Sequence, residues 1–182
     1  MKTKKFIITT IHEYLNNQIL KENISNRYIL LPYSEDNGGD FEEEEYYDKY
    51  DIDKYEAANR AVEIAIDGGI SILRNKNLHG ILIDINNSRI IGAIWISNSS
   101  DEFSFDIAID GSYQNMGLSS ILIDSAIDEY RNQKDMYDDM GDNDFKMEVD
   151  VINPKLAQIL KNKYNFYVIG ELSQHRVLMS MD

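Results

Sequence analysis

Apolar residues recur along this chain with two different periods, and the change from one to the other predicts the order of helices and strands. A helical period is found over about 11–22 and 53–67, and Asp67-Gly68-Gly69 ends the second run. A period of two is typical of strands, and Asn86-Asn87-Ser88 is a favourable hairpin turn between two such runs. The predicted strands lie at about 4–9, 27–31, 70–73, 79–85, 89–97, 103–109, 145–152, 166–169 and 175–181, and two further helices at about 117–131 and 154–164.

The order of these elements predicts an α+β domain with a mixed, mostly antiparallel central sheet flanked by helices. Strands that pair with a chain neighbour outnumber the strand–helix–strand crossovers that a parallel sheet requires. The 182 residues fit a single domain over 1–182. Residues 34–51 are interpreted as a solvated acidic loop, either a lid with interleaved aromatics or a plain surface loop, and 132–144 as a polar insertion.

Charge and composition narrow the possible functions. The formal charge of −14 disfavours nucleic acid and anionic membranes as partners, because both are negatively charged. The same acidity either serves solubility or attracts a cationic substrate. The absence of cysteine excludes disulfides, thiolate zinc sites and a cysteine nucleophile, and it is compatible with a cytoplasmic location. No apolar run reaches the roughly 18 residues of a membrane-spanning helix, and no metal site is predicted.

Residues 103–131 carry the clearest chemical signal, a strand that runs through a tight turn into a helix. Phe103, Phe105, Ile107 and Ile109 alternate with polar or small residues, and the helix is under way by Ser119. A turn of this kind directs free backbone N–H groups towards one point, and the helix dipole adds positive potential there. Phosphate binds at such turns, and Gly117 permits close approach of the backbone. An ordinary strand-to-helix connection is the alternative interpretation.

Several segments together resemble the GNAT family of N-acetyltransferases. Residues 114–119, Gln-Asn-Met-Gly-Leu-Ser, resemble the family motif Gln/Arg-x-x-Gly-x-Gly/Ala, and 107–109 resemble the strand before it. Residues 151–157 resemble the family's next strand and its Asn-initiated helix, and Asn165-Phe166 its final turn. Residues 89–97 are similar to the family's central hairpin. The resemblance covers about 80–182, and 1–79 would then be the variable region that binds the acceptor.

The resemblance implies acetyl-CoA as co-substrate and assigns a role to individual residues. The backbone amides of the motif would bind the coenzyme A pyrophosphate; they belong to Gln114, Asn115, Met116, Gly117, Leu118 and Ser119. Backbone groups of Ile107 and Ile109 would pair with the pantetheine arm, as an added strand does, where two strands separate to admit the thioester. Asn153 occupies the position of a polar contact near the cofactor.

The catalytic residues follow the family less closely. The tyrosine that often protonates the leaving thiolate would fall at Leu160 or Lys161, and neither is a tyrosine. Tyr164 is the candidate replacement, and a buried aromatic that ends an amphipathic helix is the alternative. Asp106 is the candidate base because it lies on the strand beside the expected thioester, with Glu148 and Asp150 as rivals. Solvated or paired carboxylates are the alternative for all three.

The sequence therefore predicts an enzyme that transfers an acetyl group from acetyl-CoA to an amine of a cationic acceptor, which is a protein or a small molecule. The alternative is a non-catalytic binding or inhibitory protein on the same scaffold, acting through its acidic surface. A toxin that acylates aminoacyl-tRNA is disfavoured, because no basic patch is found in the sequence.

Overall fold

The computed structural model describes residues 26–33, 47–70, 76–98, 102–139, 145–173 and 176–181. Over these ranges seven strands form one sheet in the order β1-β2-β3-β4-β5-β7-β6. The strands are β1 (Tyr28–Pro32), β2 (Asn77–Asp84), β3 (Arg89–Asn98), β4 (Glu102–Ile109), β5 (Lys146–Val151), β6 (Tyr167–Ser173) and β7 (Arg176–Met181). All neighbouring strands pair antiparallel except β4 and β5, which are parallel. The predicted α+β class and mostly antiparallel sheet are confirmed.

Helices cover both faces of the sheet, and each face has its own apolar core. One core is formed with α1 (Lys54–Asp67), which buries Ala57, Ala61, Ile64 and Ala65. The other is formed with α2 (Ser119–Asp139) and α3 (Pro154–Tyr164). Alternate residues of β2 and β3 contribute to opposite cores, as the period of two requires. The described helices lack the length and apolarity that crossing a membrane demands.

Local capping signals place α1 and α3 where the sequence predicts them. The Asp53 carboxylate accepts a hydrogen bond from the Glu56 amide at 2.8 Å, which satisfies one of the free donors of the first turn of α1. The Asn153 side chain does the same for the Lys155 amide at 2.9 Å, ahead of Pro154 in the first turn of α3.

The predicted elements at 4–9, 11–22 and 71–73 and most of the acidic loop, 34–46, lie outside the described residues.

The prediction of a polar insertion from residue 132 onwards is wrong, because α2 continues to Asp139. The Tyr137 ring stacks on Phe145 with centroids 4.3 Å apart, so the last part of the helix has an aromatic anchor. Gln133 also donates to Glu129 at 2.7 Å, a pairing four residues apart along the helix. Strand β6 likewise extends to Ser173, four residues beyond its predicted end at 169.

Replacing Tyr137 by alanine is expected to lower the free energy of unfolding by about 2 kcal/mol, because it removes a half-buried ring from the stack on Phe145. Urea unfolding followed by circular dichroism measures the change. The neighbouring Met136 is 64% exposed, so Met136→Ala is the matched control and should stay within about 0.5 kcal/mol of wild type. Equal effects from the two substitutions would contradict the anchoring role.

Candidate cofactor-binding site

The two parallel strands at the centre of the sheet separate soon after they begin. β4 and β5 pair only at Glu102↔Lys146 and Phe103↔Met147 among the described residues. β4 nevertheless stays paired with β3 as far as Ile109, and β5 with β7 as far as Val151. A gap therefore opens within the sheet towards the carboxyl ends of both strands.

Backbone groups on one edge of β4 face this gap. The Asp110 amide donates to the Ile91 carbonyl of β3 at 2.8 Å, so the backbone at position 110 faces β3. Because backbone groups alternate in direction along a strand, those of Ile107 and Ile109 face β5 instead. The Ile109 carbonyl already accepts a hydrogen bond from the Gln114 side chain at 3.4 Å, which agrees with this direction. The geometry suits an extended ligand that pairs with β4, as predicted for these two residues.

The chain leaves β4 through a turn in which two residues adopt left-handed backbone conformations. A short 3₁₀ helix spans Gly111–Tyr113, and φ is +63° at Asn115 and +79° at Gly117. Asparagine and glycine are the residues that tolerate this region best. A side chain at position 117 would meet no atom within 4 Å of its Cβ, so this glycine is required by conformation and not by lack of space.

The backbone amides of the last part of this turn and of the helix start that follows it are free. The backbone N–H groups of 115–119 donate no hydrogen bond to any described residue. The buried Leu118 side chain anchors the segment in the core, and the Ser120 hydroxyl donates to the Gly117 carbonyl at 2.6 Å. Helix α2 begins at Ser119, so its positive dipole end adds to the five amides. A row of free donors at a helix start is a binding site for an anion such as phosphate.

The comparisons with known proteins agree with this geometry at the level of the fold. No family model and no curated protein matches the sequence. Solved structures do match. The ribosomal-protein-S18-alanine N-acetyltransferase of Escherichia coli has a TM-score of 0.50 at 13% identity, over 85% of this chain and 92% of that one. A GNAT-family acetyltransferase of Streptococcus pneumoniae gives 0.50 at 13%, over 85% and 98%. The chain has the GNAT fold. The likeness spans more of the chain than the sequence motifs of 80–182.

In this GNAT fold the start of α3 lies beside the turn at 114–119. The Lys155 ammonium donates to the Asn115 side chain at 3.4 Å and brings a positive charge next to the free amides. Asn153 is exposed, and its side-chain oxygen is engaged in capping α3. Its predicted contact with the cofactor stays a prediction, and the amide group of its side chain is the part left to make it.

Tyr164 lies at the other end of α3 and contacts α2. Its hydroxyl donates to Asp124 at 2.5 Å and lies 3.4 Å from the Ser120 carbonyl. Burial raises the pKa of the Tyr164 phenol well above its usual range, and the hydrogen bond to the Asp124 carboxylate raises it further. A phenol held in this way releases its proton less readily than an ordinary tyrosine. These contacts favour the structural interpretation of Tyr164, and its role as an acid stays a prediction.

Asp106 lies on the α1 face of the GNAT sheet, opposite the core that α2 covers. It is the cross-strand partner of Trp95, and the Lys76 ammonium is 3.0 Å from its carboxylate. The pairing agrees with the alternative of a paired carboxylate and leaves the role as a base untested. The rival carboxylates, Glu148 and Asp150, lie on the same face. The residues that alternate with them along β5, Met147, Val149 and Val151, enter the opposite core.

The rivals have partners of their own. The Arg176 guanidinium donates to Asp150 at 2.6 Å through its Nε. Burial raises the pKa of the Glu102 carboxyl, the nearby charge of Glu148 raises it further, and Lys76 opposes the shift. Four carboxylates and two cations therefore share the α1 face on either side of the gap; they are Glu102, Asp106, Glu148, Asp150, Lys76 and Arg176. The described residues include no cluster of three or more acidic or histidine side chains arranged to hold a metal ion.

Sequence reasoning missed the residues that support the turn. Asp110 is buried at the end of β4, and its carboxylate accepts hydrogen bonds from Ser112, Arg60 and Arg89. An aspartate that precedes Gly-Ser after a strand is a known turn signal, so its bond to the Ser112 amide was open to prediction. The two arginines are distant in the sequence and carry no such signal.

Proposed function

We propose that this protein is an N-acetyltransferase that transfers the acetyl group of acetyl-CoA to an amine of a cationic acceptor. The observation that carries the proposal is the row of free amides at 115–119, which lies at the open end of the gap between β4 and β5. The amides bind the pyrophosphate without any need for positive side chains, so the formal charge of −14 is no obstacle. The pantetheine arm then pairs with Ile107 and Ile109 along the edge of β4.

The reaction needs no protein nucleophile. The acceptor nitrogen attacks the thioester carbonyl, the new C–N bond forms, and the C–S bond breaks to release coenzyme A. A lysine-like amine is neutral about one time in 2,000 at pH 7, so a base is required to take its proton. Asp106 acts as that base in this proposal. The Ile109 amide, directed into the gap, stabilises the oxyanion that develops on the carbonyl oxygen.

The acidic α1 face supports a cationic acceptor. An approaching ammonium group meets the negative field of the carboxylates on either side of the gap, and this field raises its local concentration. Lys76 already forms an ion pair with Asp106, at 3.0 Å, so the ammonium group of the acceptor has to displace the Lys76 side chain from this carboxylate. The cytoplasm, where acetyl-CoA is available, is the proposed location.

The second candidate is a non-catalytic protein that uses the same scaffold for binding. Positions 160 and 161 hold leucine and lysine in place of the expected tyrosine. Tyr164 is engaged by Asp124, which leaves the departing thiolate without an evident acid in the described part of the chain. A chain of this kind would bind acetyl-CoA, or its partner, without turnover.

Release of free thiol from acetyl-CoA, measured across a panel of amines and basic peptides, tests the proposed activity. Turnover with one or more cationic amines is the expected result. Calorimetry with acetyl-CoA is the companion measurement, because binding without turnover for every amine would favour the second candidate. The absence of both binding and turnover would overturn the proposed cofactor site.

Asp106→Asn is expected to lower kcat by about 100-fold while the KM for acetyl-CoA stays unchanged, because the substitution removes the proposed base and leaves the amide row intact. Steady-state thiol release with the best amine of the panel measures both constants. Asp128 is an exposed carboxylate on α2, so Asp128→Asn is the control for the loss of one charge. An unaltered kcat in the Asp106 variant would show that another group takes the proton.

A further inference from the structure

The carboxylate of Asp110 joins three elements at the start of the cofactor turn. Its Oδ1 accepts from the Ser112 amide at 2.9 Å, inside the turn. Its Oδ2 accepts from Arg60 of α1 at 3.1 Å and from Arg89 of β3 at 3.3 Å. Arg60 is itself oriented by Glu63, which accepts from its other terminal nitrogen at 2.7 Å. A single buried side chain therefore ties the backbone of the turn to both a helix and a strand.

Tyr113, the last residue of the 3₁₀ helix, is fixed through its backbone and its side chain. Its amide donates to the Asp110 carbonyl at 2.8 Å, and its hydroxyl donates to the buried Asp84 at 3.2 Å. The Arg89 guanidinium lies 5.7 Å from the centre of its ring, a cation–π distance. The segment that leads into the free amides is thus held from several directions before any ligand arrives.

We propose that Asp110 is a positioning residue for the cofactor turn, and that Arg60, from the opposite face of the sheet, and Arg89, from the end of β3, set the affinity for acetyl-CoA through it. The inference rests on the proposed function, because it assumes that the free amides of 115–119 bind the pyrophosphate. Helix α1 packs on the face opposite α2, so Arg60 acts on the turn only through Asp110. A turn that is already ordered loses less conformational freedom when it binds, and this raises affinity.

The charge of Asp110 is essential to this arrangement, because three donors converge on two oxygens. Asparagine has the same shape but only one acceptor oxygen, and its NH₂ group would face either the Ser112 amide or the two guanidinium groups. Either orientation leaves a donor of the turn or of the arginines without a partner. Hydrogen bonds to a charged acceptor are also the stronger ones. The substitution therefore loosens the turn without changing the volume of the side chain.

Asp110→Asn is expected to raise the Kd for acetyl-CoA on the order of tenfold, which corresponds to one lost charge-assisted hydrogen bond. The KM for acetyl-CoA should rise in the same proportion, while kcat and the KM for the amine stay unchanged. Loss of structure alone would reduce the active fraction, and therefore kcat, and leave that KM as it is. Arg60→Gln and Arg89→Gln should each show a smaller rise, and their combination about the same tenfold effect.

Asp53→Ala is the matched control, because it removes the cap of α1 and costs about 1 kcal/mol of stability with no contact to the turn. It should leave the Kd unchanged. Wild-type protein that fails to bind acetyl-CoA would refute the proposed function itself. Wild-type binding with an unaltered Kd in Asp110→Asn and in the double arginine variant would overturn the positioning role alone. The arginine variants carry the test if Asp110→Asn does not fold, because both side chains are more than one-third exposed.

Discussion

Gly117→Glu is expected to abolish binding of acetyl-CoA while the domain stays folded. A Cβ added at position 117 meets no atom within 4 Å, so the structural cost of the substitution is the backbone strain of a non-glycine residue at a φ of +79°. The substitution adds a negative charge within the segment of free amides at 115–119, and this charge repels the pyrophosphate and competes with it for the same donors. A loss of at least 100-fold in affinity is expected, on the order of 3 kcal/mol, and calorimetry with acetyl-CoA measures it.

Two controls separate charge from backbone strain in this experiment. Gly69→Glu adds the same side chain at another glycine with positive φ, +74°, that also has open space, and it lies at the end of α1 away from the turn. Gly117→Ala keeps the backbone strain of about 1 kcal/mol at position 117 without the charge. Both controls should bind acetyl-CoA and show similar unfolding curves. Full binding by Gly117→Glu would refute the assignment of this turn to the cofactor.

Asp84→Ala is expected to lower the free energy of unfolding by about 3 kcal/mol, the largest effect on stability that we predict. The Asp84 side chain is fully buried and accepts from Arg27 at 2.7 and 3.1 Å, from the Asn86 amide at 3.2 Å and from Tyr113 at 3.2 Å. Its removal leaves these donors without their acceptor. Arg27 is 43% exposed, so water recovers part of the loss. Urea unfolding at pH 7 measures the change.

The dependence of stability on pH provides an independent check on the role of Asp84. The hydrogen bonds from Arg27 hold the pKa of the Asp84 carboxyl below its ordinary value of 3.8, and burial only partly opposes them. A carboxyl whose pKa is lowered by folding stabilises the fold above its ordinary pKa, and this stability is lost as the pH falls through the lowered value. The difference between wild type and Asp84→Asn should therefore shrink below pH 3.8. A difference that is the same at pH 7 and pH 3 would exclude the charge of Asp84 as its cause.

The sequence predicts much of the sheet because three of the six pairings among the described strands, β2–β3, β3–β4 and β6–β7, join strands linked by a short connection. The hairpin at Asn86-Asn87-Ser88 joins β2 to β3, and Ser88 has the positive φ of +51° that such a tight turn demands. The helix caps that the structure shows at Asp53 and Asn153 are also local signals. The sequence pattern does not predict the last part of α2, after residue 131. Its anchor, Phe145, lies beyond the helix and follows a polar stretch that favours a loop.

In the candidate site, too, local features are predictable from the sequence and contacts between distant residues are not. The turn at 114–119 follows from residues that are adjacent in the sequence, so its conformation and free amides are predictable. The environments of the catalytic candidates depend on contacts between distant residues. Tyr164 meets Asp124, which is 40 positions away, and Asp110 meets Arg60, which is 50 positions away. No period or motif in a single sequence records such contacts.

The gap between β4 and β5 also divides the sheet into two parts that are each continuous in the chain. β1 to β4 lie within 28–109 and β5 to β7 within 146–181, and among the described residues two pairs join the parts through the sheet. Strands β2, β3 and β4 follow one another through short connections, which close at a low entropic cost, whereas β1 meets β2 across α1 and β4 meets β5 across α2. The gap proposed to admit the cofactor is thus also the connection with the fewest paired residues among the described strands of the sheet.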